Sequence, residues 1–193
     1  MKIWELRCAN INDYPIVAAS REALFERVFD IDGNPLDWKS PPVVYFSDYK
    51  SRGKKKLRPM ADVSIMSVGS MVLNERAYKA LGQFFQQFGQ LLPVQTEGGA
   101  EWRWFYNVTN LVKCVDMAAS EKSATGVLSA EAFYDINVPR QPAVFKDPQT
   151  AKIRIYVNDP GKALIDGLVA EAGLTGIECA EPKRWVQATA PSA

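Results

Sequence analysis

Histidine is missing from the sequence altogether. Its absence excludes Ser-His-Asp triads, Cys-His dyads, histidine-based zinc sites and general acid–base catalysis by an imidazole. Carboxylate, lysine or tyrosine chemistry remains open, but no pair of carboxylates stands out by its spacing. We therefore expect a protein with no catalytic residues, no metal and no cofactor. An enzyme that uses lysine or carboxylates is the less favoured alternative.

Long apolar runs are also missing, and no stretch approaches the ~18 apolar residues of a membrane-spanning helix. The N-terminus from Met1 to Arg7 carries charges before any apolar core can form, which is not typical of a signal peptide. The sequence has only three cysteines, which is an odd number. Cys8, Cys114 and Cys179 each lie in an apolar stretch, which is typical of buried, reduced thiols. These features predict a cytoplasmic protein without a membrane partner.

Net charge is almost absent as well, because 23 lysines and arginines face 22 aspartates and glutamates. This balance gives no overall attraction to nucleic acids or membranes, so any such attraction has to come from a local patch. The 193 residues are 47% hydrophobic, which suits one globular domain. We interpret residues 1–193 as a single domain with a frayed tail at about 187–193. The oligomeric state stays open.

What is present is a mixture of helix and strand patterns. Residues 75–88 follow a good N-cap, Asn74, and repeat apolar side chains at spacings of three and four, which predicts a helix. Asp159 as N-cap, with Pro160 in the first turn, predicts a second helix over 160–172, with a strand on either side. The sequence thus predicts an α+β fold, with a mixed or antiparallel sheet, a few packed helices and a C-terminal strand-helix-strand unit. The side chains expected in the core include Phe84, Phe85, Leu164 and Leu168. Strands are predicted at 2–8, 43–46, 63–68, 91–96, 101–108, 153–157 and 174–179, and a surface loop at 120–126.

One segment departs from the even balance of charge. Residues 50–58 hold six basic side chains around Gly53, which favours a loop at about 48–60 over a helix. A run of like charge this dense repels itself. Three interpretations stay open: a solvated loop, a contact for an acidic protein partner, or a contact for nucleic acid, which the net acidic remainder of the chain disfavours. The basic residues are Lys50, Arg52, Lys54, Lys55, Lys56 and Arg58.

A second candidate site lies in the predicted strand at 101–108. Trp102 and Trp104 share one face of this strand, and Arg103 and Phe105 share the other. Tryptophan and arginine are frequent anchors of protein interfaces, so Trp102, Arg103 and Trp104 are candidate partner-binding residues. The alternative is that both tryptophans face the core.

A series of short motifs runs through residues 32–178, while the first 30 residues contribute little. The motifs are Asp32-Gly33-Asn34-Pro35-Leu36 with Trp38 and Pro41, Asp62-Val63, Val72-Leu73-Asn74-Glu75, Leu91-Leu92-Pro93-Val94, Tyr106-Asn107-Val108-Thr109, Cys114-Val115-Asp116, Phe145-Lys146, Ile155-Tyr156-Val157 and Gly173-Leu174-Thr175-Gly176. In order and spacing they resemble family eleven of the bacterial immunity proteins, first described as a domain of unknown function.

The resemblance implies a cytosolic protein encoded beside a polymorphic or secreted toxin. Such a protein binds the toxin and protects the producing cell or its siblings. The resemblance brings no functional residues with it, and it leaves the activity of the toxin open. The rival hypothesis is a nucleic-acid-binding module that uses the basic residues at 50–58.

Overall fold

Strands outnumber helices in the part of the chain that the computed structural model describes. That part comprises residues 1–10, 12–47, 58–99, 101–122, 124, 126 and 128–182, without the side chains of Leu24 and Phe25. Most of the predicted basic loop and the whole predicted frayed tail lie outside these residues. The elements in chain order are β1 (Ile3–Arg7), β2 (Ile16–Ala19), α1 (Arg21–Phe25), β3 (Val43–Ser47), β4 (Val63–Ile65), β5 (Met71–Leu73), α2 (Glu75–Phe85), β6 (Gly89–Thr96), β7 (Trp102–Val108), β8 (Val115–Lys122), β9 (Leu128–Phe133), β10 (Val144–Phe145), β11 (Tyr156–Asn158), α3 (Asp159–Ala172) and β12 (Glu178–Ala180).

The larger sheet has six strands in the order β2-β3-β6-β7-β5-β4. Its strands pair antiparallel except β3 and β6, which are parallel. The two edge strands, β2 and β4, come close to each other, so the sheet curls back on itself. Because side chains alternate between the faces of a strand, each strand sends one set inward and one set outward. The inward set includes Val17, Val44, Val72, Val94 and Phe105, all fully buried.

Helix α2 packs on part of the outer face of this sheet. It begins where predicted, because the side chain of Asn74 accepts a hydrogen bond from the backbone N–H of Ala77 at 2.9 Å. Its apolar stripe buries Leu81, Phe84 and Phe85. The ring of Phe85 stacks on Tyr106 of β7 at a centroid distance of 4.4 Å. The predicted burial of Phe84 and Phe85 is therefore confirmed.

A second sheet has four antiparallel strands in the order β10-β11-β1-β12. Strands β11 and β12 both pair with β1, which lies between them, and α3 connects the two. This is a split strand-helix-strand unit, so the predicted C-terminal unit and the α+β class are confirmed. The N-cap of α3 is Asn158, one residue before the predicted Asp159, because the Asn158 side chain accepts the hydrogen bond from the Gly161 N–H. The helix ends at Gly173, which adopts the left-handed conformation that favours glycine. Strands β8 and β9 form a separate two-stranded hairpin.

The buried face of α3 differs from the prediction. Leu164 is 40% exposed and Leu168 is only half-buried, whereas Ile165 is 1% exposed. The cap explains the rotation, because it places Gly161 against Val157, at a contact too close for any side chain at position 161. The face that starts there continues four residues later at Ile165. The prediction that Leu164 is buried was thus wrong, and the buried residue is Ile165, one position later.

Four predicted segments also need their boundaries corrected. The strand expected at 153–157 begins only at Tyr156, because Ile153 and Arg154 donate backbone hydrogen bonds to the carbonyl oxygen of Thr150 and form a turn. The surface loop expected from residue 120 is strand as far as Lys122, held by pairing with β9. The strands expected at 63–68 and 174–179 are shorter, at Val63–Ile65 and Glu178–Ala180. Within the described ranges, no helix is long and apolar enough to cross a membrane.

Candidate functional site

The two tryptophans of β7 have different surroundings. Trp104 is half-buried, and its ring stacks on Tyr78 of α2 at a centroid distance of 4.3 Å. Trp102 lies two residues earlier on the same face and is 50% exposed. Helix α2 therefore covers Trp104 but leaves Trp102 uncovered. The alternative interpretation, that the tryptophans face the core, therefore fits Trp104 and does not fit Trp102.

The pairing of the strands places further exposed apolar side chains beside Trp102. Trp102 pairs with Gln95 on β6, and Gln95 pairs with Val43 on β3, so the three share one row on the outer face. Tyr45 follows two positions later on the same face of β3. Ile16 lies on that face of the edge strand β2, since its partner is Ser47. We call Ile16, Val43, Tyr45 and Trp102 the open face.

The open face is a coherent surface rather than a scatter of exposed residues. Its side chains are 37–52% exposed and come from β2, β3 and β7, with β6 between the last two. At the usual strand spacing this surface is roughly 14 Å wide. Scattered apolar side chains need no explanation, whereas an exposed group rimmed by polar residues marks an interaction site.

A groove of about 720 Å³ adjoins the open face and shares Val43 and Tyr45 with it. It runs between α1, the segment that leads into β3, and the turn after β6. We call it the acidic groove. Its lining includes four carboxylates and one ammonium group: Glu22, Glu26, Asp37 and Glu97, with Lys39. None of these five side chains forms an ion pair with a residue that the structure describes.

One wall of the acidic groove is the fixed side chain of Trp38. Its indole N–H donates a hydrogen bond to the carbonyl oxygen of Val28 at 2.8 Å. Its ring lies edge-on to Phe29 and against Phe105, with centroid distances of 5.2 and 5.9 Å. Because Phe105 belongs to the inner core of the curled sheet, this wall is held in place by that core.

Arg103, the third candidate on β7, lies inside the curled sheet and is only 1% exposed. Its guanidinium contacts the Glu101 carboxylate at 3.0 Å and lies over the Phe46 ring, 4.6 Å from the ring centroid. It also donates a hydrogen bond to the carbonyl oxygen of Ala61 at 3.4 Å. These contacts compensate the burial of its charge. Arg103 is not accessible to a partner in this fold, and it does not belong to the open face.

Among the six basic candidates, the described residues include only Arg58. Its guanidinium donates a hydrogen bond of 3.4 Å to the carbonyl oxygen of Tyr14, shortly before β2. The end of the basic run is therefore anchored near the edge strand that carries Ile16. Lys50, Arg52, Lys54, Lys55 and Lys56 lie outside the described residues, and their role stays a prediction.

The short motifs that carry the family resemblance hold distant segments together. Asp62 accepts hydrogen bonds from the side-chain amide of Asn74 at 2.9 Å and from the backbone N–H of Thr175 at 2.8 Å. Burial acts to raise the pKa of Asp62, but these hydrogen bonds and Arg76 outweigh it and lower the pKa. The Asp62 carboxylate thus connects the start of α2 to the segment that precedes β12.

The motif at Asp32-Gly33-Asn34 is held in the same way. Asn107 donates a side-chain hydrogen bond to the carbonyl oxygen of Asn34 at 2.8 Å. Lys146, 1% exposed, donates one to the carbonyl oxygen of Ile31 at 2.8 Å. Burial lowers the pKa of Lys146 to about 8, although Asp32 and Asp30 oppose the change. These motif residues are structural, and no residue of the open face belongs to any of the motifs.

A buried charge cluster joins β1, β9 and the turn before β11. Arg154 contacts Glu5 at 3.0 Å and Glu131 at 2.8 Å, and all three side chains are at most 8% exposed. Burial raises the pKa of Glu5, against the attraction of Arg154 and Arg7. Because the arginine lies between the two carboxylates, we interpret the cluster as structural. It has no local pattern in the sequence, since its members come from three separate segments.

The open face and the acidic groove together form one exposed surface. It combines the aromatic side chains of the open face with the carboxylates of the acidic groove, which have no basic partner among the described side chains. The two parts meet at Val43 and Tyr45. Over the described ranges, no three metal-ligating side chains lie close enough together to hold a metal ion. The chain matches no protein-family model, and a search of curated proteins returns no match either.

Proposed function

We propose that this protein is an immunity protein, which binds a cognate bacterial toxin in the cytosol and neutralises it by occlusion, without catalysing a reaction. The observation that carries the proposal is the open face, where Trp102, Tyr45 and Val43 are exposed next to the acidic groove. Exposed aromatic residues surrounded by polar groups are the usual anchors of an interface. The motif resemblance supplies the class of partner.

A nucleic-acid-binding module is the second candidate, and the basic residues at 50–58 are the observation that favours it. The four carboxylates of the acidic groove oppose it, because they repel phosphates. Binding through this run requires an affinity that falls steeply with salt, with a log–log slope of roughly −0.7 to −0.9 per phosphate contact. A shallow slope and weak binding would remove this candidate.

The proposal is tested by coexpressing the chain with the product of the neighbouring reading frame. We expect the two to copurify and the chain to suppress the toxicity of its neighbour at equimolar amounts. Tight occlusion requires an interface of about 1,600 Å². A neighbourhood of housekeeping enzymes without a toxin, or a toxin that stays active under excess of this chain, would refute the proposal.

Trp102→Ala is expected to weaken binding of the toxin by about 30-fold, which corresponds to roughly 2 kcal/mol for the loss of a central aromatic anchor. The dissociation constant can be measured by isothermal titration calorimetry. Ile136→Ala is the matched control, because Ile136 is 93% exposed in the turn Asp135–Asn137, which contributes no residue to the open face. Equal effects of the two substitutions would exclude Trp102 as an anchor.

The basic run has its own test. The basic residues are expected to steer the protein onto an acidic surface of the toxin. Replacing Lys54, Lys55 and Lys56 together by Glu should therefore slow association at low salt, because such charges speed encounter more than they tighten the complex. The slowing should shrink at 1 M salt, where the Debye length is about 3 Å. The thermal midpoint should change little, since exposed charges contribute little to folding. Stopped-flow kinetics at two salt concentrations provide the measurement, and an unchanged rate at low salt would leave the run as a solvated loop.

A further inference from the structure

We propose that the acidic groove and the open face form one docking surface, whose occupant is a protruding protein segment rich in lysine or arginine and edged by apolar side chains. The inference rests on the proposed function in assigning that segment to a toxin. It adds that the partner brings positive charge to this surface, whereas the basic run predicts an acidic patch of the partner at a separate contact.

The two parts of the surface are joined through β3 and the end of β6. Val43 and Tyr45 line the acidic groove and also belong to the open face. The parallel pairing of Val44 with Thr96 brings Glu97, the next residue, to the end of the same strand pair. Glu97 lines the groove as well. A segment seated in the groove would therefore touch Tyr45 and reach the row that ends at Trp102.

The negative charge of the acidic groove favours a positively charged occupant. The groove brings together Glu22, Glu26, Asp37 and Glu97 against Lys39, and the carboxylates have no basic partner among the described side chains. Carboxylates that line one groove repel each other and any phosphate or acidic peptide. A cationic segment relieves this repulsion, and the field of the groove speeds its approach.

The apolar residues favour the same occupant. Lysine and arginine have long aliphatic stems that pack on apolar surface while the charged end reaches polar groups. Tyr45 offers an aromatic ring to a cation, and Val43 offers an aliphatic surface to its stem. The Trp38 wall is held by a hydrogen bond and by ring contacts before any partner arrives. Binding therefore requires little ordering of this wall.

The test uses the full chain and two synthetic peptides, one of alternating lysine and leucine and its counterpart of alternating glutamate and leucine. We expect the lysine peptide to bind at low salt and the glutamate peptide not to bind. Glu22→Lys combined with Glu26→Lys should weaken the lysine peptide by roughly tenfold or more. Asp37→Lys combined with Glu97→Lys is a second reversal outside α1, in case the first disturbs that short helix.

The matched control is Glu171→Lys with Asp135→Lys, which changes the net charge by the same amount at exposed positions outside the surface. It should weaken the peptide by no more than about twofold, since distant exposed charges are screened. The inference is overturned if the lysine peptide does not bind, or if the control weakens it as much as the groove reversals do. Copurification with the toxin tests the proposed function separately, because a toxin can bind elsewhere when the peptide fails, and the peptide can bind in the absence of any toxin.

Discussion

Replacing Arg154 by methionine is expected to lower the free energy of unfolding by about 3–5 kcal/mol at pH 7, because it leaves two buried carboxylates without their cation. Glu5 and Glu131 contact Arg154 at 3.0 and 2.8 Å, and Arg154 has 4% of its side chain exposed. The control is Lys152→Met, which removes an ion pair with Asp30 whose lysine is 64% exposed. An exposed pair of that kind is worth at most about 1 kcal/mol.

The loss in the Arg154→Met variant should depend on pH. Burial already raises the pKa of Glu5 above its usual 4.5, and removing the arginine takes away the largest attraction that opposes this rise. A carboxyl whose pKa is higher in the folded state binds more protons there than in the unfolded state, so its contribution to stability falls as the pH rises above 4.5. The variant should recover towards the wild type as the pH is lowered from 7 towards 5. Urea denaturation at both pH values is the measurement, and a deficit that is the same at both would contradict the assignment.

Phe85→Ala is expected to lower the free energy of unfolding by about 3–5 kcal/mol, the usual range for removing a buried aromatic ring. Phe85 is 0% exposed, and its ring stacks on Tyr106, whose hydroxyl donates a hydrogen bond to the Phe85 carbonyl oxygen at 3.1 Å. Phe84→Ala should fall in the same range, since Phe84 is 6% exposed.

Leu164→Ala is the matched control for Phe85→Ala, because Leu164 is 40% exposed on α3. It should cost less than about 1 kcal/mol, as surface substitutions usually do. Chemical denaturation of the variants gives both values. A cost above about 2 kcal/mol at Leu164 would mean that α3 packs through the face predicted from its sequence and not through Ile165.

Helix positions were predictable because their signals are local. Asn74 and the aromatic repeat after it fix α2, its cap and its buried face within one stretch of sequence. The ends of α3 were equally clear, but its buried face was not. Small residues such as Ala163 and Gly167 make the repeat of apolar side chains along this helix weak. Its true orientation depends on the contact of Gly161 with Val157, which follows from packing.

The candidate surface was predictable only in part. Trp102 was named from its residue type, but its neighbours on the open face come from strands whose pairing is non-local. The carboxylates of the acidic groove lie in three separate segments and carry no motif. Arg103 was misplaced because a charged side chain in an alternating strand is normally exposed. Its burial depends on Glu101, Phe46 and Ala61, which no spacing rule brings together.

In the four-stranded sheet, β1 is synthesised long before both of the strands that pair with it. Strand β1 pairs with β11 on one side and β12 on the other, and Arg154 reaches Glu5 across 149 residues of sequence. At 5–20 residues per second, a ribosome needs roughly 8–30 s to make that intervening chain. For this time Ile3–Arg7 remains without a partner strand in its sheet. Closure of this sheet is therefore a late event in biogenesis, after the curled sheet has emerged complete.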